Sequence, residues 1–170
     1  MESSINLTLI QLSQVIAILL TGLLAGLFYG YDCSVIRGLE KLQDDVYLQS
    51  FQHINKAIQN PYFFISFIGS LLVLPVATWL SYGKYNPLTF YLLLSATLLY
   101  AITVFGVTVF GNIPLNELLE KFDISTATQK DIVFMRQMFE NSWNKYHTIR
   151  TIAAILTFCL TIIAVIKQKI

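Results

Sequence analysis

One short run holds most of the reactive side chains of this sequence: Trp143-Asn144-Lys145-Tyr146-His147-Thr148-Ile149-Arg150-Thr151. On a helix, Trp143, His147 and Arg150 fall at i, i+4 and i+7, on one face, with Thr151 beside them. An imidazole that titrates near neutral pH can take or return a proton. A guanidinium one turn away can hold an oxygen on which negative charge develops. The indole offers a flat apolar surface, and Tyr31 offers a second ring for a planar ligand. Amide side chains come from Asn144 and from two further runs, Asn60-Pro61 and Gly111-Asn112-Ile113-Pro114-Leu115-Asn116-Glu117. Asn60, Asn112 and Asn116 are suited to capping helix ends or to bonding a ligand. Pro114 is expected to force Ile113 out of helical geometry and break the chain there. The carbonyls so freed would accept from an inward-turned Arg150, with Trp143 lying over them.

Metal chemistry is poorly supplied. His53 and His147 are the two histidines, and neither belongs to a carboxylate–histidine cluster at ligand spacing. A bis-histidine haem held by this pair is the alternative use. Cys33 and Cys159 lie at different depths and form no C-x-x-C, so they are expected to be unlinked, inert, buried thiols.

The elements that must position these groups follow from composition. Of 170 residues, 55% are hydrophobic and 12% charged, with mean hydropathy +0.63. Soluble domains carry about 25% charged residues, so a bilayer is the expected solvent and membrane lipid the expected neighbour. Four stretches suit a span of about 20 apolar residues: 9–31, 61–80, 88–110 and 149–166. The first three contain no Asp, Glu, Lys or Arg, and the fourth holds only Arg150. The first ten residues lack Lys and Arg, so the first span is read as uncleaved. A net charge of +1 offers no basic surface to nucleic acid. The fold class is an all-α membrane protein, a single domain forming an antiparallel four-helix bundle.

The two long connections, 32–60 and 111–148, must lie on one side of that bundle. Leu39, Leu42, Val46, Phe51, Ile54 and Ile58 recur at mostly three- and four-residue steps, predicting a half-buried helix. Ile132, Met135, Met138 and Phe139 predict another. Lys and Arg near span ends are more numerous on these connections, but acidic neighbours accompany them. The terminal lysines are unaccompanied, which places the termini in the cytoplasm, in a bacterial inner membrane. Gly22, Gly26 and Gly30 form a stripe that would admit a neighbouring helix, so leucine at Gly26 is expected to disrupt packing.

Taken together, the glycine-rich first helix, Asn60-Pro61, N-x-P-L-N at 112–116 and W-N-x-x-H-T-x-R-T at 143–151 resemble the anthrone oxygenase-like family. These are small four-helix membrane proteins, and the resemblance runs over nearly the whole chain. Fungal members oxidise anthrones to anthraquinones with O₂ and no evident metal or flavin. The resemblance thus implies a cofactor-independent oxidoreductase with His147 as base and Arg150 as oxyanion partner. Tyr31, Asn60, Asn112, Asn116, Trp143 and Asn144 would bind a small aromatic or lipid-soluble substrate. The substrate itself does not transfer, because function resides in sites rather than folds. The other reading is non-catalytic: an accessory subunit, or a lipid- or haem-binding module whose polar clusters lock helix ends together. A cavity lined by His147, Arg150, Asn112 and Tyr31 would favour the enzyme; the same side chains bonded to backbone without a cavity would favour the module. The oligomeric state is open at this level.

Overall fold

A computed structural model of the chain describes residues 2–168, with side chains from Thr8 onward. Four helices are long and apolar enough to cross a bilayer: Thr8–Leu39, Pro61–Ser81, Pro87–Glu120 and Gln129–Ile166. The chain is therefore an all-α integral membrane protein, with no strand among the described residues. The first span comprises α1 (Glu2–Gly30), a π-helical turn at Tyr31–Ile36 and α2 (Arg37–Leu39). α3 (Asp44–Ala57) fills the first long connection, and α4 (Pro61–Ser81) is the second span. The third span is α5 (Pro87–Leu99), π-helical stretches at Tyr100–Gly106 and Thr108–Asn112, then α6 (Ile113–Glu120). α7 (Gln129–Ile166) is the fourth.

Local chemistry accounts for the helix starts. Asn60 and Asn86 cap α4 and α5, accepting from the backbone N–H groups of Phe63 and Thr89, and proline follows each at the first helical position. Thr128 and Asp131 close a reciprocal capping box on α7. Between the second and third spans the turn passes through Gly83 at φ +67, a left-handed conformation that glycine adopts without strain. Inside the bundle, hydroxyls bond back to their own helix, as Thr21 to the Ala17 carbonyl and Ser70 to that of Ser66. Lipid offers such groups no alternative partner.

The structure corrects several expectations. The helix that carries the span expected at 149–166 begins twenty residues earlier, at Gln129. Nothing between Gln129 and Ile166 breaks a helix, neither glycine nor proline, so α7 runs unbroken for about 57 Å at ~1.5 Å per residue. That is nearly twice the ~30 Å hydrocarbon layer, and its first half stands beyond the lipid. Pro114 does not break the third helix either: Ile113 is helical, at φ −60 and ψ −48. The π-helical stretch before it widens the turn, which relieves the clash between a proline ring and the carbonyl four residues back. On α3 the buried face is Tyr47, Leu48, Phe51 and Asn55, while Val46 is exposed. The turn at 40–43 resets the helical phase, so a periodicity counted across it misplaces the stripe. Of the three glycines, only Gly22 meets a neighbour, with an added Cβ 2.8 Å from the Phe158 ring; Gly26 and Gly30 meet open space. Gly26→Leu should therefore leave the bundle intact. Cys33 and Cys159 are unlinked but exposed, not buried.

Two apolar cores result. One, inside the spans, contains Leu24, Phe28, Phe67, Leu74, Tyr100 and Ala154. The other, beyond them, packs Tyr47, Phe51, Leu119, Met135, Phe139 and Trp143. Burial pushes the Tyr47 phenol above its ordinary titration range, so it stays neutral under the Arg136 guanidinium, 4.5 Å from its ring centroid.

Candidate functional site

Where the two cores meet, the helices leave a cavity of about 530 Å³, within the range of small-molecule sites. Phe28, Phe67 and Trp143 give it aromatic walls, and Lys56 and Glu120, paired at 2.7 Å, lie at its exposed rim. Leu27, Phe64 and Ile113 line it too and are also exposed on the outer surface of the bundle. One flank is thus apolar side chains between cavity and lipid.

Arg150 is the charged group at the centre, turned inward and 8% exposed. Its Nε and Nη2 lie 3.2 and 3.0 Å from Nδ1 of His147, and its Nη1 donates to the Thr108 hydroxyl at 3.4 Å. The guanidinium carbon sits 4.5 Å from the centre of the Phe28 ring and 5.2 Å from that of Trp143, close enough for cation–π attraction. It bonds none of the carbonyls near Pro114, because the unbroken helix there leaves none free. No carboxylate pairs with it among the described residues; their ion pairs belong to Lys56 and Arg136.

The His147 ring is 1% exposed and stacks on Trp143, centroids 5.0 Å apart at 12°. Arginine has only donors, so the Nδ1 it faces must carry a lone pair. The proton then sits on Nε2, which donates to the Phe28 carbonyl at 3.2 Å. Thr151 anchors the same turn through its hydroxyl, which donates to the His147 carbonyl at 2.8 Å. Both ring nitrogens are engaged: His147 is a neutral tautomer that holds the guanidinium in place.

The remaining predicted residues divide. Trp143 is buried, and its Nε1 donates to Asn116 Oδ1 at 2.8 Å, so both join the cavity wall. Tyr31 packs 5.3 Å from His147 and 5.6 Å from Trp143 between ring centres, and its hydroxyl has no protein partner. Asn112 is fully buried outside the cavity lining and donates to the Trp143 carbonyl at 3.3 Å, tying the third span to α7. Asn60 is the cap of α4, Asn144 does not line the cavity, and His53 is exposed on α3 away from it. Cavity residues absent from the sequence reading include Phe28, Asn55, Phe67 and Thr108. Phe63 and Phe67 stand at i and i+4 after the Asn-Pro cap, a legible aromatic face; Asn55 and Thr108 carry no local signal. Two of the three π-helical stretches begin at the cavity residues Tyr31 and Thr108, and such turns recur at functional sites.

Fold and site together define a four-span helical membrane protein with an aromatic-walled cavity around a buried arginine. The sequence model of the anthrone oxygenase family matches residues 60–160, more than half of the chain, which belongs to that family. No curated protein and no solved structure matches it. The matched region includes Thr108, Asn116, Trp143, His147 and Arg150; Phe28, Tyr31 and Asn55 lie outside it.

Proposed function

We propose that this protein oxygenates a small, lipid-soluble aromatic substrate of the anthrone type, with its own side chains doing the acid–base and electrostatic work. Arg150 carries the reading. A buried cation held by neutral acceptors and aromatic faces, with no carboxylate, is complementary to an oxyanion formed in the cavity. The substrate would be a ketone whose methylene is flanked by aromatic rings. Loss of one methylene proton moves an electron pair onto the ketone oxygen, where Arg150 stabilises it. The electron-rich carbon then reduces O₂ and binds it, and a proton completes the hydroperoxide. Departure of the second methylene hydrogen as a proton breaks the O–O bond, releasing water and leaving a carbonyl. One O₂ is consumed and one water formed per methylene.

The base in this scheme is His147. While Arg150 occupies Nδ1, no lone pair is free. A substrate oxygen that draws the guanidinium away releases Nδ1, so base and oxyanion partner become available together. The apolar flank formed by Leu27, Phe64 and Ile113 suits a substrate dissolved in the bilayer. We place the termini in the cytoplasm of a bacterial inner membrane and the cavity at the outer leaflet. The pairing of Lys56 and Arg136 with carboxylates on the long connections supports that orientation.

The test is oxygen uptake by the purified protein with 1,8-dihydroxyanthrone. Uptake well above the spontaneous rate, one O₂ per anthrone, and its loss in Arg150→Met support the reading. Equal rates with and without protein would overturn it. A second reading, binding without turnover, draws on the engagement of both His147 nitrogens. It predicts saturable binding of the anthrone with no acceleration of uptake.

A further inference from the structure

The cavity holds a polar group that the oxygenation chemistry leaves unused. Asn55 lies on α3, is 8% exposed and lines the cavity, yet its side-chain Nδ2 bonds no protein atom. A buried amide donor without an acceptor costs the protein free energy. The other buried residues of α3, Tyr47, Leu48 and Phe51, are hydrophobic, and leucine would fill a volume similar to that of Asn55. Its backbone carbonyl, by contrast, is used locally, accepting from the Gln59 side-chain amide at 3.0 Å. The side chain is thus the one part of this residue held in reserve.

We propose that Asn55 is a ligand-recognition residue: its amide donates to a neutral carbonyl or hydroxyl oxygen on the bound ligand, a contact separate from the anionic one at Arg150. The two groups come from different helices, α3 and α7, so they address two positions on one molecule. The substrate class narrows accordingly, to planar aromatics that carry an ionisable oxygen and a second, neutral oxygen on the ring system. Asn55 lies outside the region matched to the family, residues 60–160. The wall that carries Arg150 and His147 is the family's, and the α3 wall is where this chain chooses its ligand. The inference rests on the cavity being a ligand site, as proposed above, and is independent of turnover.

Equilibrium dialysis of the full-length, detergent-solubilised protein tests it with two probes. Anthraquinone-2-carboxylate and anthracene-2-carboxylate share an anion and a three-ring outline, but only the first carries ring carbonyls. The wild type should bind the quinone about tenfold more tightly, the contribution of one hydrogen bond from a buried donor. Asn55→Leu should erase that preference by weakening the quinone alone. Asn55→Ala, which leaves space instead of a branched methyl, should do the same and guards against a packing artefact. Arg150→Met should weaken both probes. If Arg150→Met weakens both while the Asn55 variants keep the wild-type preference, the amide does not bond the ligand, and this inference fails while the cavity reading stands. If the wild type binds neither probe, both fall.

Discussion

Arg136 and Arg150 stand about four turns apart on one helix and meet opposite surroundings. Arg136 donates to Glu140 at 3.0 Å, to Asp44 at 2.8 Å, and to the carbonyls of Leu42 and Glu40 at 2.6 and 2.9 Å. Two carboxylates balance its charge, and its bonds fasten the turn before α3 to α7. Arg150 has a histidine nitrogen, a threonine hydroxyl and two aromatic faces. Its hydrogen bonds go to neutral side chains, so its charge is unbalanced, and it lies against a cavity. Full satisfaction by opposite charges marks an arginine that holds structure. Arg150 meets neutral groups alone, which is why the proposed function gives it a negative ligand.

The largest effect that could break this comparison is on stability. Arg136→Met should cost about 3 kcal/mol, because it strands Asp44 and Glu140 and loosens α3. Thermal unfolding in detergent would show it, with probe binding near the wild-type level at temperatures where the variant is folded. Arg150→Met should behave oppositely. Removing a buried, unbalanced charge should leave the melting temperature unchanged or raised, while affinity for anthraquinone-2-carboxylate falls about 100-fold. Comparable melting losses in both variants would mean that the two arginines do the same structural work.

His147→Leu sharpens the contrast. Without Nδ1 to orient it, the guanidinium loses its fixed direction, and affinity should fall about tenfold. His147→Gln, whose carbonyl can accept from Arg150, should recover most of the binding but none of the oxygen uptake. The smallest effect belongs to Thr108→Val, which removes one long hydrogen bond at 3.4 Å. A loss of about threefold in affinity is expected, readable by the same dialysis.

Sequence alone carried the four spans, because lipid dictates their composition, and it carried the shared face of Trp143, His147 and Arg150, because helical period dictates that. The amide clusters were legible only as alternatives. Asn60 proved a cap, Asn112 a tie between helices and Asn116 a partner of the Trp143 indole, and only tertiary contact separates those roles. The break expected at Pro114 failed because π-helical widening is a property of the folded third helix, with no signature in one proline. The glycine stripe failed at Gly26 for a related reason: composition does not tell a face toward lipid from a face toward a helix. Asn55 and Thr108 were invisible because each is isolated in its own stretch of sequence and gains meaning from helices far along the chain.

Purification of the wild type and Arg150→Met from the same host membranes, followed by mass spectrometry of copurifying small molecules, addresses the role of Arg150 most directly. The wild type should retain an aromatic compound with an ionisable hydroxyl or enolisable ketone, at near-stoichiometric amounts, and Arg150→Met should lack it. Identical compounds in both preparations, or phospholipid alone in each, would contradict the assignment of Arg150 to an anionic ligand.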